Sequence, residues 1–143
     1  MKILAVDPGT KNIGLAVSDP TGTIARPLVV LPHISRVIDA AAVAEQAAAQ
    51  GVELIIVGQS MDEDGEPSLA GRQAAHFAET LKVQTSVPVF LWDEAFTTSE
   101  ARKTRIDMGV NRKKRAGHLD DLAAALLLQS YLESLHSRGN KKK

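Results

Sequence analysis

The chain has 143 residues, 44% of them hydrophobic and 24% charged, a size and balance that fit one compact domain and exclude disorder, collagen and coiled coil. It has no cysteine, which removes disulfides, thiolate metal sites and cysteine nucleophiles, so any metal must be held by oxygen or imidazole. The zero net charge hides a segregation of sign: residues 1–71 carry four Lys/Arg against nine Asp/Glu, and residues 72–143 carry thirteen against eight.

The apolar run that opens the chain breaks at Asp7, too soon for a signal peptide or a membrane span, so a soluble cytoplasmic protein is expected. Ile3 to Val6 reads as a strand buried on both faces and closed by the turn Asp7-Pro8-Gly9. Ile13, Leu15 and Val17 then alternate with Gly14, Ala16 and Ser18, a second strand whose small face invites the close approach of a helix. After Asp19-Pro20-Thr21-Gly22, Ile24 to Leu31 reads as a third, near-edge strand interrupted by Pro27. Ser35 is placed to cap a helix over Val37 to Gln50, which Gly51 stops. Val52 to Val57 and Val87 to Leu91 are β-branched apolar strands, and the helical stretch Ser68 to Ser86 between them makes a parallel crossover. Thr97 and Glu100 form a capping box for a short helix running toward Met108-Gly109, and a final helix spans about Leu119 to Leu135. The fold class predicted is α/β: a five-stranded mixed sheet, three antiparallel strands followed by two parallel ones, flanked by helices. One domain is expected over residues 1–138, with 139–143 a basic tail.

Acids fall where such sheets bind ligands, beyond the C-terminal ends of strands. Asp7 closes the first strand, Asp93 and Glu94 close the fifth, and Asp120 and Asp121 open the last helix. Brought together, these carboxylates would repel unless a cation compensated them, and oxygen-only donors favour Mg²⁺ or Mn²⁺ over zinc. Such ions activate water for phosphodiester hydrolysis without any side-chain nucleophile. Helical periodicity leaves Asp120 and Asp121 equally able to face inward. A cluster of Arg102, Lys103, Arg105, Arg112, Lys113, Lys114 and Arg115 contains one acid, Asp107, and suits the grip of a polyanion.

The segments Asp7 to Asp19, Val57-Gly58, Asp93 to Thr98 and Asp120 to Gln129 together resemble the YqgF/RuvX family, nearly end to end and in order. The resemblance implies an RNase H-like fold related to Holliday-junction resolvases. It also implies a metal-dependent nuclease, acting in 5′-end maturation of pre-16S rRNA or, alternatively, on four-way DNA junctions. By the same resemblance the catalytic and metal-holding acids are Asp7, Glu94 and Asp120, with Asp93 and Asp121 as alternates. Expected nucleic-acid contacts are Thr10, Lys11, Thr97, Thr98, Arg102, Arg105, Arg112 to Arg115 and His118. The chain departs from the family pattern at Asn12, at Gln59-Ser60 and at Ala95-Phe96, which touches substrate selection more than chemistry. The partner implied is pre-ribosomal RNA or branched DNA, and a resolvase role would require a homodimer.

Two other functional classes fit parts of the chain: a non-catalytic RNA-binding assembly factor, and a nucleotide-binding domain of the actin/Hsp70 type, for which Asp7 to Lys11 resembles the first phosphate loop. The latter needs two such domains, more than this length holds. Asp62-Glu63-Asp64-Gly65 lacks the closing glutamate of a calcium loop and reads as a mobile acidic loop. Trp92 and Phe96 read as core packing rather than base-stacking platforms. The four histidines show no metal-binding pair at helical spacing.

Overall fold

The computed structural model describes residues 1–94 and 119–141, except for the side chains of 119–121 and 137–141. Within them lie strands β1 (Ile3–Pro8), β2 (Asn12–Ser18), β3 (Ala25–Pro32), β4 (Leu54–Gln59) and β5 (Val89–Asp93), and helices α1 (Arg36–Gln50), α2 (Leu69–Gln84) and α3 (Leu119–Lys141). The sheet order is β3-β2-β1-β4-β5, with β1 antiparallel to β2, β2 antiparallel to β3, and β1, β4 and β5 parallel. This is the mixed sheet expected from the strand patterns. The helix expected after Thr97 lies outside the described residues. Among the described residues no helix is long and apolar enough to cross a membrane.

Local chemistry accounts for the boundaries. Ser35 caps α1, its hydroxyl accepting from the Ile38 N–H, and at the other end Gly51 adopts φ 64° and returns its N–H to Ala47 and Ala48 carbonyls. Ser68 caps α2 through the Gly71 N–H. On the edge strand β3 the register slips opposite Leu15 and Ala16, whose partners are Val29 and Pro27. The bulge takes up Leu28, and an edge strand tolerates Pro27 because that side of the ladder needs no donor. Helix α3 continues beyond the Leu135 suggested by apolar spacing, into the expected basic tail as far as Lys141. Cations such as Arg138 and Lys141 favour a helix C-terminus, so the polar end need not stop it.

The two faces of the sheet pack differently. Leu4, Val6, Ile13, Leu15, Val17, Ile55 and Val57 face α1 and α2 and meet Val43, Phe77 and Leu81. Ile3, Ala5, Ala16, Leu54 and Ile56 face α3 and meet Ala124, Leu127, Leu128 and Leu132. The small face of β2 therefore receives a helix, as its composition demanded, and α3 can cross β2, β1 and β4 at short range. Gln129 fastens the crossing, its side-chain oxygen accepting from Ala25 N–H at 3.0 Å and its amide donating to the Thr23 carbonyl at 3.2 Å.

Candidate functional site

Strand alternation decides which acids share a face. On β1, Ile3 and Ala5 point to α3, so Asp7 follows them to that side. On β4, Leu54 and Ile56 do the same, and the next residue of that set is Gly58. A Cβ on Gly58 would stand 3.0 Å from Glu94 Oε1 and 2.9 Å from Leu127 Cδ2, so the Glu94 carboxylate lies over the glycine against α3. The β1–β4 register pairs Val6 with Val57. One residue further, Asp7 stands beside Gly58, one strand spacing of about 4.8 Å away. Asp7 and Glu94 thus share the end and the face of the sheet.

Asp93 belongs to the other side. Val89 packs with the α1/α2 core, while Trp92 packs with α3, so alternation sends Asp93 away from Glu94. Its ladder partner Gln59 donates to the Gly71 carbonyl of α2 at 3.1 Å. Trp92 is absorbed in packing: its indole N–H donates to Ser130 Oγ at 3.1 Å and its ring meets Tyr131 edge-on at 5.0 Å. That contact fixes the end of β5 immediately before Glu94.

Helix α3 runs from this end of the sheet toward the opposite one, since Leu127 sits over Gly58 while Gln129 reaches the start of β3. Its first turn, with Asp120 and Asp121, lies about 10 Å before Leu127 along the axis. The side chains of both acids lie outside the description. Among the described residues no trio of His, Asp or Glu is close enough to hold an ion, and of the three expected ligands the described ones are Asp7 and Glu94. The donors that are present fit a hard divalent cation: two carboxylates on one face, with a floor at Gly58 that any Cβ would fill.

Thr10 and Lys11 are exposed on the β1–β2 turn, at the same end. That turn is tight, because a Cβ on Gly9 would stand 2.4 Å from the Asn12 carbonyl oxygen. Thr97, Thr98, Arg102, Arg105, Arg112, Lys113, Lys114, Arg115, His118 and also Phe96 lie outside the described residues. Gln59 and Ser60, where the chain departs from the family, have a bonding role: Ser60 O accepts from Ser68 N–H and its hydroxyl contacts the Ser68 hydroxyl, tying β4 to the start of α2. The acidic stretch after them forms a hydrogen-bonded turn. Met61 bridges Pro67, and Asp62 N–H donates to the Glu66 carbonyl at 2.7 Å.

One constellation escaped the sequence reading. His33 Nδ1 lies 2.5 Å from Asp39 Oδ2, and the other oxygen of this buried carboxylate accepts from Ile34 N–H at 2.9 Å. The pair spans six positions across the Ser35 cap, where the chain reverses from β3 into α1. A histidine before an N-cap and an acid in the first helical turn is the signal that would have found it.

The comparisons with known proteins agree across the chain. A family model described as RuvX: Holliday junction resolvase matches residues 1–134. A protein of Thermoanaerobacter pseudethanolicus named "Putative pre-16S rRNA nuclease" is 38% identical over 94% of this chain and 97% of its own. One of the same name from Desulforudis audaxviator is 35% identical over 98% and 99%. Among solved structures, Thermus thermophilus RuvC in complex with a Holliday junction substrate superposes with a TM-score of 0.64 at 19% identity, covering 96% of both chains. The fowlpox virus resolvase in complex with Holliday junction DNA gives 0.57 at 16%, covering 94% of this chain and 99% of the viral one. At these identities the structures speak for the fold alone, which is RNase H-like.

Proposed function

The chain belongs to the RuvX family, and from that premise we propose that it is a divalent-metal-dependent nuclease of the cytoplasm that hydrolyses phosphodiester bonds in pre-16S rRNA. The observation that carries the reading is the Glu94 carboxylate lying over Gly58, on the face and at the sheet end of Asp7. Asp7, Glu94 and Asp120 would hold the ion, Mg²⁺ or Mn²⁺. The shared face supports Glu94 over Asp93. Support for Asp120 over Asp121 is its place one heptad before Leu127, on the helical line that meets Gly58. The chemistry such an ion supplies when bound is activation of water and neutralisation of the leaving oxygen.

The remaining work falls to the chain itself. Two carboxylates, one on β1 and one just past the end of β5 with β4 between them, keep their geometry because the sheet is rigid and α3 covers it. The missing side chain at Gly58 lets Glu94 and Leu127 come close to the sheet. Lys11 and Thr10, on the exposed turn next to Asp7, would take phosphate oxygens of the substrate, and the basic cluster from Arg102 to Arg115 would hold its backbone without reading sequence.

The test is incubation of the purified protein with pre-16S rRNA, unstructured single-stranded RNA and a four-way DNA junction, each with and without Mn²⁺. Cleavage of pre-16S rRNA that requires the ion is expected. Metal stabilisation of the transition state is worth several kcal/mol, so Asp7→Asn should slow cleavage by about a hundredfold or more while RNA binding persists. Unchanged cleavage by Asp7→Asn would overturn the assignment, and cleavage confined to the junction would move the substrate to branched DNA.

A further inference from the structure

The face opposite Asp7 carries a cleft of about 630 Å³ between the β1–β2 turn, the start of α1 and the start of α2. Its floor is apolar, made by Ile13, Ala74 and Phe77, and its walls include His33, Arg36 and Gln73. Nothing in the proposed nuclease chemistry uses these six residues.

Their chemistry is specific. Asp39, 3% exposed, fixes the His33 ring through Nδ1 and so leaves Nε2 as the nitrogen available to a ligand. The same contact engages the negative charge of Asp39, which would otherwise oppose an anion here. Arg36 is exposed and, among the described residues, is in no ion pair. Gln73 is exposed and offers an amide donor and acceptor side by side, the pattern that the edge of a nucleobase complements. A flat apolar body with a polar edge and an attached phosphate fits this arrangement of floor, amide and cation.

Position identifies the source of such a ligand. β1 and β3 are both antiparallel to β2, so Asp7 and His33 lie toward the same end of the sheet; Asp7 is level with Val30 through Gly14, and His33 stands two strand spacings across and three residues further along, about 14 Å away. Pro8, Gly9 and Thr10 line the cleft and directly follow Asp7 in the chain. The β1–β2 turn, with exposed Thr10 and Lys11, lies between the two faces at that end. We propose that the cleft binds one nucleotide of the RNA strand that passes over this turn from the acidic face, with its base in the apolar cleft, its edge at Gln73 and its phosphate at Arg36. The proposal rests on the nuclease reading for the strand, but not for the nucleotide.

The experiment is methyl and amide NMR of the full chain without metal, titrated with each of the four nucleoside 5′-monophosphates, with ribose 5-phosphate, with inorganic phosphate and with an RNA hexanucleotide. At least one nucleotide should shift Ile13 and the Gln73 side chain saturably, and the hexanucleotide should bind at least tenfold more tightly through the same residues. Arg36→Ala and Gln73→Ala, both at exposed positions, should each weaken binding, Arg36→Ala by at least tenfold. Absence of shifts at the cleft, equal shifts from inorganic phosphate or ribose 5-phosphate, or indifference to Arg36→Ala would overturn the nucleotide site. Mononucleotide binding without any gain for the hexanucleotide would overturn its assignment to the RNA strand. Failure of the wild-type protein to cleave RNA would count against the nuclease reading and leave these binding results standing, so the two failures are distinguishable.

Discussion

The two faces of the sheet are built from the same strands and serve different ends. Toward α1 and α2 the strands present Leu4, Val6, Leu15, Val17, Ile55 and Val57, a layer of large aliphatic side chains closed by two helices. Toward α3 they present Ala5, Ala16 and Gly58 among fewer large residues, and among the described residues one helix closes the layer. Bulk on the first face supplies most of the burial. Smallness on the second lets α3 come close enough for Leu127 to touch the glycine over which Glu94 lies. A close helix needs little volume but admits little change, so the α3 side should be more sensitive in activity than in stability, and the α1/α2 side the reverse.

The contrast can be broken from either side. Leu15→Ala empties a fully buried position of the bulky face and should cost about 2–5 kcal/mol in denaturant unfolding, with cleavage per folded molecule unchanged. A loss of activity beyond the loss of folded protein would show that the faces are coupled. Gly58→Ala adds a methyl group 2.9 Å from Leu127 and 3.0 Å from the Glu94 carboxylate. It should cost less stability, about 1–3 kcal/mol, yet lower cleavage well beyond that, because Glu94 must move. Equal loss in both measurements would erase the distinction.

The smallest effect expected lies outside both layers, in the β2–β3 turn. The Asp19 carboxyl is held well below the ordinary carboxylate range by hydrogen bonds from Ile24 N–H, then the Thr21 hydroxyl, then Thr23 N–H. A depressed folded value means that the unfolded chain binds more protons, so this contribution is present above about pH 4 and is lost as the pH falls toward the folded value. Asp19→Asn should therefore lower Tm near neutrality by a small amount, and the difference from wild type should narrow on acidification. A difference that widened in acid would contradict that sign.

Several features were legible because they are local. The alternation of Ile13, Leu15 and Val17 with Gly14, Ala16 and Ser18 announced both the strand and the helix that covers its small side. Ser35 and Gly51 act as the caps their positions suggested. The order of Asp7, Asp93-Glu94 and Asp120-Asp121 along the chain was enough to expect acids toward one sheet end, and Asp7 and Glu94 share that end and one face of the sheet. Less was visible where distant segments set the answer. The acidic stretch from Asp62 to Glu66 forms a closed turn because Met61 pairs with Pro67, a contact that charge counting does not foresee. Gln59 and Ser60 bond to the first turn and cap of α2, contacts that span the β4–α2 connection and that sequence spacing does not show.

From the sequence alone come the elements, their order and the small stripe on β2, since periodicity, caps and turn residues act within a few positions of the chain. Tertiary structure decided that Glu94 shares a face with Asp7 while Asp93 does not, and that His33 meets Asp39 beside a cleft. Both outcomes depend on which strands lie side by side and which helix covers them, and that is settled by the packing of residues far apart in the chain.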